Sequence, residues 1–281
     1  MAFALIVDPA TLAAHLDDPR WLVVDCRSDP ADAAFGRSEY AKSHLPGAIF
    51  LDVDTELSDA RNGRNGRHPL PAAARAAAAF GAAGIGADTQ VVAYDDRGGA
   101  SAARLWWMLR WLGHEGAAVL DGGWQRWLGE ARPVSTEPQR RDARVFVPRV
   151  REQAWVDAQQ VLAHLARRDA LFVDARAPAR YRGEIEPLDA VGGHLPGALN
   201  RPLTANLDER GGFRTPELLR AEFEQLLAGV ASEQVIHYCG SGVGSCHNLL
   251  AMELAGLHGS RLYPGSWSEW AADPSRPVER G

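Results

Sequence analysis

The sequence predicts an α/β protein of two tandem domains, each a mainly parallel sheet flanked by helices. Three observations predict this: apolar runs alternate with helical patterns, the chain is long for one domain, and its second half repeats the first. A chain of 281 residues fits two domains of roughly 130–140 residues each. The hydrophobic fraction of 46% supports sizeable cores and argues against disorder.

The repeat is collinear along the chain. His-Leu-Pro-Gly-Ala occurs at 44–48 and again at 194–198, an offset of 150 residues. Val-Asp-Cys-Arg at 24–27 returns as Val-Asp-Ala-Arg at 173–176, an offset of 149 residues. Matches that keep their order while the offset drifts indicate a duplication with loop insertions.

The domain boundaries follow from this repeat. We expect an N-terminal domain over 1–133, a linker over 134–150 and a C-terminal domain over 151–281. The linker is polar and contains arginine and proline, as a spacer does. Its apolar peptide at 145–147 could add one extra strand.

Each half alternates strands with helices. Short continuous apolar runs, the pattern of buried parallel strands, occupy 21–25, 90–94 and 117–120. Helices are expected over 9–17, which Asp8 can cap, and over 72–83 and 100–112. In parallel sheets the active loops follow the carboxyl ends of the strands, and both Asp95 and Cys239 lie at such an end.

Composition excludes several classes of function. The net charge is −6 without an acidic or basic block, so we expect no nucleic-acid partner and no membrane partner. No apolar run reaches membrane-spanning length, and the start of the chain lacks the basic region of a signal peptide. Three cysteines form neither a disulfide framework nor a metal-ligand spacing. A reducing, cytoplasmic setting fits best.

A glycine-rich loop opening with Cys239 follows an apolar strand and precedes a helix. Gly240, Gly242 and Gly244 let the backbone turn its N–H groups inward, and the helix adds the positive end of its dipole. Such a nest favours the thiolate, which is the reactive form of cysteine. The loop is therefore a candidate site for a nucleophile.

Three other uses of a Cys–Gly loop each lack an essential group. A cysteine phosphatase needs an arginine where this loop has Ser245. A thiol–disulfide oxidoreductase needs Cys-x-x-Cys, whereas Cys239 and Cys246 are seven residues apart. A phosphate-binding loop needs a lysine, and this loop has none. The remaining interpretation is a thiolate surrounded by backbone amides, in a loop wide enough for an extra sulfur atom.

The peptide 239–243 (Cys-Gly-Ser-Gly-Val), the paired His-Leu-Pro-Gly-Ala motifs and the peptide 265–270 (Gly-Ser-Trp-Ser-Glu-Trp) together resemble the two-domain rhodanese-like sulfurtransferases. The resemblance covers essentially the whole chain. Within that family, the neutral loop is similar to that of 3-mercaptopyruvate sulfurtransferases. Thiosulfate-specific members carry basic residues in the loop.

The resemblance implies a catalytic C-terminal domain and an inactive N-terminal one, in which Asp95 stands where Cys239 would be. It implies that Cys239 takes a sulfane sulfur from 3-mercaptopyruvate or thiosulfate as a persulfide. The sulfur then passes to a thiol acceptor such as thioredoxin or glutathione, or to cyanide, without metal or organic cofactor. Two alternatives stay open: a thiosulfate:cyanide sulfurtransferase, and a sulfur-carrier protein loaded and unloaded by partner proteins.

The resemblance also implies roles for individual residues. Ser241 matches a serine that forms a proton relay with a histidine and an aspartate, for which His68 and Asp54 are the matching residues. Arg180 matches an arginine that binds the substrate carboxylate, a task suited to its planar fork. The rest of the loop is expected to hold the substrate: Gly240, Gly242, Val243, Gly244 and Ser245.

The sequence departs from the family pattern at one position. Mercaptopyruvate enzymes usually have a second arginine nine residues after the first, where this chain has Asp189. Arg182, Arg97 and Arg104 are the candidate substitutes. His44 and His194 recur in both halves, including the half without the cysteine, so a structural role is expected for them. Cys246 is expected to be buried rather than reactive.

Overall fold

The computed structural model describes residues 3–281 and separates into two compact units. Unit 1 comprises Met1–Asp59, Pro71–Arg151 and Asp208–Phe213, and unit 2 comprises Ala60–Leu70, Glu152–Leu207 and Arg214–Gly281. Unit 2 therefore includes Ala60–Leu70, which the expected boundaries place in the N-terminal domain. Unit 1 includes Asp208–Phe213, which they place in the C-terminal domain. The boundaries at 133 and 151 stay predictions.

Unit 1 is built on a five-stranded, wholly parallel sheet with the strand order β1-β5-β4-β2-β3. Its strands are β1 (Ile6–Val7), β2 (Trp21–Asp25), β3 (Ile49–Phe50), β4 (Gln90–Tyr94) and β5 (Ala117–Leu120). Every residue of β2, β4 and β5 is buried, as a sheet covered on both faces requires. The three strands expected from the apolar runs are confirmed.

The helices of unit 1 are α1 (Pro9–Ala13), α2 (Phe35–Lys42), α3 (Ala73–Ala82), α4 (Ala100–Trp111) and α5 (Gly123–Gly129). Asp8 caps α1, since its carboxylate accepts the N–H of Thr11 at 2.8 Å. The helix is shorter than the expected 9–17 because the chain tightens after Ala13. The N–H of His15 bonds to Leu12 O at 3.0 Å, which is a 3₁₀-type turn.

The extra strand expected at 145–147 is wrong. Arg144 donates its backbone N–H to Gly81 O at 2.9 Å, and the Phe146 ring packs edge-on against Phe80. Of this peptide only Phe146 packs on α3, which contains both Phe80 and Gly81, whereas the side chains of Val145 and Val147 are exposed. The peptide pairs with no strand of the sheet.

Unit 2 is built on a four-stranded parallel sheet with the order β7-β6-β8-β9. Its strands are β6 (Leu171–Asp174), β7 (Leu199–Asn200), β8 (Val235–Tyr238) and β9 (Arg261–Leu262). Its helices are α6 (Ala158–Arg167), α7 (Pro178–Tyr181), α8 (Pro216–Leu227), α9 (Ser245–Leu254) and α10 (Ser266–Trp270). Within residues 3–281, no helix has the length and apolarity needed to span a membrane.

The duplication is visible in the buried polar groups at equivalent places of the two sheets. Arg27 pairs with Asp25 at the end of β2, Nη2 to Oδ2 2.6 Å, and Arg176 pairs with Asp174 at the end of β6 with the same distance. The Tyr94 hydroxyl donates to Asp25 at 2.6 Å. Two units with the same parallel-sheet core and the same buried ion pair confirm the tandem α/β fold.

The repeated histidines brace the backbone. His44 donates from Nδ1 to Tyr40 O at 2.7 Å, and His194 donates from Nδ1 to Tyr181 O at 2.8 Å. Each imidazole also stacks on the ring of that same tyrosine, with centroids 4.0 and 3.8 Å apart. Their structural role is confirmed.

Candidate functional site

Cys239 follows β8 directly, at the carboxyl end of a central strand of unit 2. Its side chain is 5% exposed, and its Sγ accepts the N–H of Gly242 at 3.1 Å. Its own N–H donates to Ser266 Oγ at 3.1 Å. The loop therefore folds back over the sulfur and presents a backbone amide to it, as the glycine pattern predicts.

One glycine of the loop is required by sterics. Gly242 has φ +80°, and a Cβ there would lie 2.1 Å from Pro264 O, so a larger residue would displace the loop. Gly244 is only tightly packed: a Cβ there would lie 3.0 Å from Leu203 Cδ2, a flexible side-chain end, and 4.0 Å from Cys239 Sγ.

The start of α10 fixes the other side of the loop. Trp267 donates its backbone N–H to Cys239 O at 3.0 Å, and Ser268 donates to Gly240 O at 2.9 Å. These bonds direct the carbonyl groups of Cys239 and Gly240 toward α10, while the N–H of Gly242 contacts the sulfur.

The loop runs into α9 through Val243, Gly244 and Ser245. Val243 is buried, and its carbonyl accepts the N–H of Cys246 at 3.1 Å. Ser245 begins α9 and is fully buried, and among the described residues its Oγ has no hydrogen-bond partner. Cys246 is fully buried and donates to Gly242 O at 3.4 Å, so its expected burial is confirmed.

Ser241 and His68 lie together. His68 Nδ1 and Ser241 Oγ are hydrogen-bonded at 2.8 Å, although 173 residues separate them in the sequence. His68 lies in the segment Ala60–Leu70, which belongs to the same unit as the Cys239 loop. Asp54 lies in unit 1, where its N–H donates to Asp52 Oδ1 at 2.8 Å. Its place in a relay with His68 stays a prediction.

Arg180, in α7, borders the loop. It holds Glu186 with two nitrogens, Nε to Oε2 3.2 Å and Nη2 to Oε1 2.6 Å. Burial is the largest single influence on Glu186 and opposes its ionisation, but the hydrogen bonds from Arg180 and the Leu188 N–H together with the charges of Arg180 and Arg176 outweigh it and lower the pKa of the carboxyl. A Cβ built on Gly240 would lie 3.4 Å from Arg180 Nη1.

A second guanidinium lies at the same glycine, and the sequence reasoning missed it. Arg67 forms an ion pair with Asp189, and its Nη2 would lie 2.8 Å from a Cβ on Gly240. Arg67 directly precedes His68 in an Arg-His-Pro-Leu-Pro peptide. An acidic residue at position 189 and an arginine beside the candidate relay histidine were the available signals.

The substitutes considered from the sequence are engaged elsewhere. Arg182 forms an exposed ion pair with Glu184. Arg97 pairs with Asp29 within unit 1. Arg104 is fully buried in unit 1 and donates to Leu57 O at 3.3 Å.

Asp95 shows what the equivalent loop of unit 1 does. Its buried carboxylate accepts four backbone N–H groups, from Arg97 and Gly99 at 2.8 Å, Ser101 at 2.7 Å and Ala102 at 2.9 Å. This loop type therefore holds a negatively charged group with backbone amides alone.

Unit 2 thus combines a cysteine sulfur, a hydroxyl–imidazole pair and two guanidinium groups around one loop. These are the groups that covalent transfer from an anionic substrate needs. Within residues 3–281, no cluster of three or more His, Cys, Asp or Glu side chains could hold a metal ion.

Comparison with known proteins agrees with the tandem fold and with the groups found around the Cys239 loop. The model of the rhodanese-like domain matches residues 8–130 and 157–273. The chain is 43% identical to a probable 3-mercaptopyruvate sulfurtransferase of Pseudomonas aeruginosa over 100% of both chains. It is 39% identical to a thiosulfate sulfurtransferase of Rattus norvegicus, over 87% of this chain and 84% of that one.

Solved structures give the same result. The 3-mercaptopyruvate sulfurtransferase from Leishmania major superposes with a TM-score of 0.84 at 33% identity, covering 95% of this chain and 74% of that one. Both halves match one domain family, and full-length relatives share the tandem arrangement. The chain therefore belongs to the two-domain rhodanese-like sulfurtransferases.

Proposed function

We propose that this sulfurtransferase takes a sulfane sulfur from 3-mercaptopyruvate, holds it on Cys239 as a persulfide and passes it to a thiol or to cyanide. The observation that carries the proposal is the hydrogen bond between Ser241 and His68, 2.8 Å long, on the loop that holds Cys239. This pair places a proton donor beside Cys239, and sulfur transfer from 3-mercaptopyruvate requires one because its leaving group must be protonated.

The first half-reaction is a displacement at sulfur. The Cys239 thiolate attacks the donor sulfur, and its electron pair forms the new S–S bond. The carbon–sulfur bond breaks, and its pair remains on the pyruvate enolate, which takes a proton to become pyruvate. The cysteine sulfur is oxidised and the substrate carbon is reduced, so no outside oxidant is needed.

Ser241 and His68 serve the proton transfer. A carbanionic leaving group is poor unless it is protonated as it departs, and a positioned acid contributes roughly 100- to 10,000-fold to such a step. The Ser241 hydroxyl gives its proton to the enolate carbon, and His68 restores it. Asp54 completes the relay in the family pattern that this sequence resembles.

The persulfide is then discharged. An acceptor thiolate, from thioredoxin or glutathione, or cyanide attacks the outer sulfur and releases the Cys239 thiolate. Asp95 supports the idea that the loop holds an anion while it waits, since the equivalent loop of unit 1 surrounds its carboxylate with four amide donors. An ionised persulfide in the unit 2 loop would use the same kind of donor.

Mass spectrometry after exposure to each donor tests the proposal. The wild-type chain should gain the mass of one sulfur atom on Cys239, pyruvate should be released, and kcat/KM should be higher for 3-mercaptopyruvate than for thiosulfate. The Cys239→Ser variant should lose transfer from every donor. Cys246→Ser is the matched control, because that buried thiol keeps no role in transfer.

Three other outcomes would redirect the assignment. A higher kcat/KM for thiosulfate would make the protein a thiosulfate sulfurtransferase. Negligible turnover of both donors, with a persulfide appearing on Cys239 after exposure to a cysteine desulfurase, would make it a sulfur carrier. Activity surviving in Cys239→Ser would move the nucleophile elsewhere.

A further inference from the structure

A cavity of about 760 Å³, here called the amino-edge cavity, lies in unit 1 at the amino ends of β2, β4 and β5. Its lining includes Trp21, which begins β2, Gln90, which begins β4, and Gly116, which precedes β5. Asp95 follows the carboxyl end of β4, so the cavity lies at the opposite end of the sheet from the Asp95 loop. Its volume falls within the range of about 300–1,000 Å³ that is typical of small-molecule sites.

Aromatic rings form much of the wall of the amino-edge cavity. His15 stacks on Trp21 with ring centroids 4.1 Å apart, and Phe3 packs edge-on against the same indole at 5.6 Å. His114 and Phe146 form a second pair, with centroids 5.8 Å apart. Burial lowers the pKa of His114, so this imidazole is neutral at pH 7. Such rings favour a flat aromatic ligand, through offset-stacked and edge-to-face contacts.

Two exposed valines also line the cavity. Val145 is 81% and Val147 is 72% exposed, which are the highest values of any large hydrophobic side chain within residues 3–281. The peptide that bears them is anchored at both ends. The backbone N–H of Arg144 donates to a carbonyl of α3 at 2.9 Å, and that of Arg149 donates to the carbonyl of the residue after α4 at 2.8 Å. Exposed apolar side chains grouped around a cavity, rather than scattered over the surface, indicate a binding site.

The charged groups of the cavity leave a cation available. Each of the three carboxylates that line it pairs with an arginine: Asp18 with Arg20 at 2.7 Å, Asp88 with Arg144 at 2.7 Å and Glu115 with Arg110 at 3.3 Å. Arg149 lines the cavity as well, is exposed, and has no ion pair or side-chain hydrogen bond among residues 3–281. A guanidinium in this state can bind a carboxylate through two parallel N–H groups.

We infer that the amino-edge cavity is a second binding site, which takes a small aromatic carboxylate. The ring of the ligand packs between the aromatic walls and the two valines, and its carboxylate binds Arg149. The site lies wholly in unit 1 and uses none of the groups around Cys239. The inference therefore goes beyond the proposed function and does not depend on it.

Isothermal titration calorimetry of the full chain with 2-naphthoate tests the inference. The fused rings of this probe match the aromatic walls and its carboxylate matches Arg149, so we expect a dissociation constant of roughly 10–100 µM. 2-Naphthalenemethanol keeps the rings but carries no charge, and it should bind roughly 10-fold more weakly. Cyclohexanecarboxylate keeps the charge but has no aromatic ring, and it should also bind roughly 10-fold more weakly.

Variants at exposed side chains locate the bound molecule without disturbing the core. Arg149→Gln should weaken binding of 2-naphthoate roughly 10-fold, as the loss of a charge-assisted hydrogen-bonded pair does. Val147→Asp should weaken it by a similar factor, because it places a negative charge where the apolar ring packs. The matched controls lie outside the cavity: Arg140→Gln, and Val134→Asp at a valine that is 45% exposed. Both should bind the probe with wild-type affinity.

Arg180→Gln separates this site from the Cys239 loop, where another guanidinium could attract the probe. This variant should bind 2-naphthoate as the wild-type chain does, since Arg180 belongs to unit 2. Loss of binding in Arg180→Gln would place the probe at the loop and overturn the inference.

Two further results would overturn it. One is the absence of binding to the wild-type chain, and the other is wild-type affinity in either Arg149→Gln or Val147→Asp. Calorimetry of a bound probe does not depend on sulfur transfer, whereas the mass of Cys239 after exposure to a donor does. Failure of this inference and failure of the proposed function are therefore observed separately.

Discussion

Cys239 and Asp95 stand at the same point of two copies of one loop, and they differ in what the loop amides surround. In unit 1 the carboxylate belongs to the protein and takes four backbone N–H groups. In unit 2 the sulfur takes one, from Gly242 at 3.1 Å. Among residues 3–281, the second loop thus directs fewer backbone N–H groups at its sulfur than the first directs at its carboxylate.

The proton relay gives the first prediction at the residue scale. Ser241→Ala removes the hydroxyl that bonds to His68, so turnover of 3-mercaptopyruvate should fall roughly 100-fold or more. Turnover of thiosulfate should fall much less, because sulfite leaves without needing a proton. Side-by-side kcat measurements on the two donors check this, with the exposed Ser275→Ala as control. Equal losses on both donors would refute the relay.

At the scale of the element, the strand–loop–helix unit depends on glycine where no other residue fits. Gly242 combines φ +80° with an approach to Pro264 O that would leave a Cβ only 2.1 Å away. The segment around Pro264 leads into α10, which also binds the loop through Trp267 and Ser268. The loop and α10 therefore form one packed element, and a change at the contact displaces both.

Gly242→Ala should consequently cost several kcal/mol of stability, since strain at a positive φ and a backbone clash add together. Urea denaturation would measure the change. Gly229→Ala is a useful comparison, because it has φ +90° but an open environment for a Cβ. It should cost less, about 1–2 kcal/mol. Equal losses of stability in the two variants would show that the backbone around Pro264 moves away from the new Cβ at little cost in free energy.

The equivalent loop of unit 1 gives a third prediction. Asp95→Ala should destabilise the protein by about 2–4 kcal/mol, because it removes the acceptor of four backbone amides, three of them buried. Asp88→Ala, which removes only an exposed ion pair with Arg144, should cost less than about 1 kcal/mol. The free energy of unfolding from denaturant titration distinguishes the two. A small loss at Asp95 would mean that water replaces the carboxylate.

At the scale of the whole molecule, a buried imidazole in β8 links stability to pH. His237 is fully buried, and burial lowers its pKa from 6.5 to about 3. Its Nε2 lies 3.0 Å from Met252 Sδ. Above pH 6.5 the imidazole is neutral in both the folded and the unfolded chain. Below pH 6.5, the imidazole binds a proton in the unfolded chain but stays neutral in the folded chain until the pH nears 3.

The free energy of unfolding should therefore fall as pH drops from 6.5 toward 3, with this group contributing up to about 1.4 kcal/mol per pH unit. His237→Leu should make the decline shallower. Denaturant titrations at several pH values measure this, and identical slopes in wild type and His237→Leu would exclude His237 as the cause.

The sequence predicts those parts of the molecule that depend on local pattern. The strands β2, β4 and β5 follow from continuous apolar runs, and the nest around Cys239 follows from the spacing of its glycines. Arg67 could not be found in that way, because its ion pair with Asp189 joins positions 122 residues apart. The pairing of His68 with Ser241 came only from the family resemblance, for the same reason.

The segment Ala60–Leu70, which belongs to unit 2, also bears on how the two halves of the duplicated sequence divide their functions. Cutting the polypeptide at residue 151 would keep Cys239 and its glycines on one fragment, but Arg67 and His68 would remain on the other. The first copy has no cysteine at its own loop, yet the sequence of that half supplies Arg67 and His68 to unit 2. A fragment made of the second half alone would therefore carry Cys239 without the imidazole that bonds to Ser241.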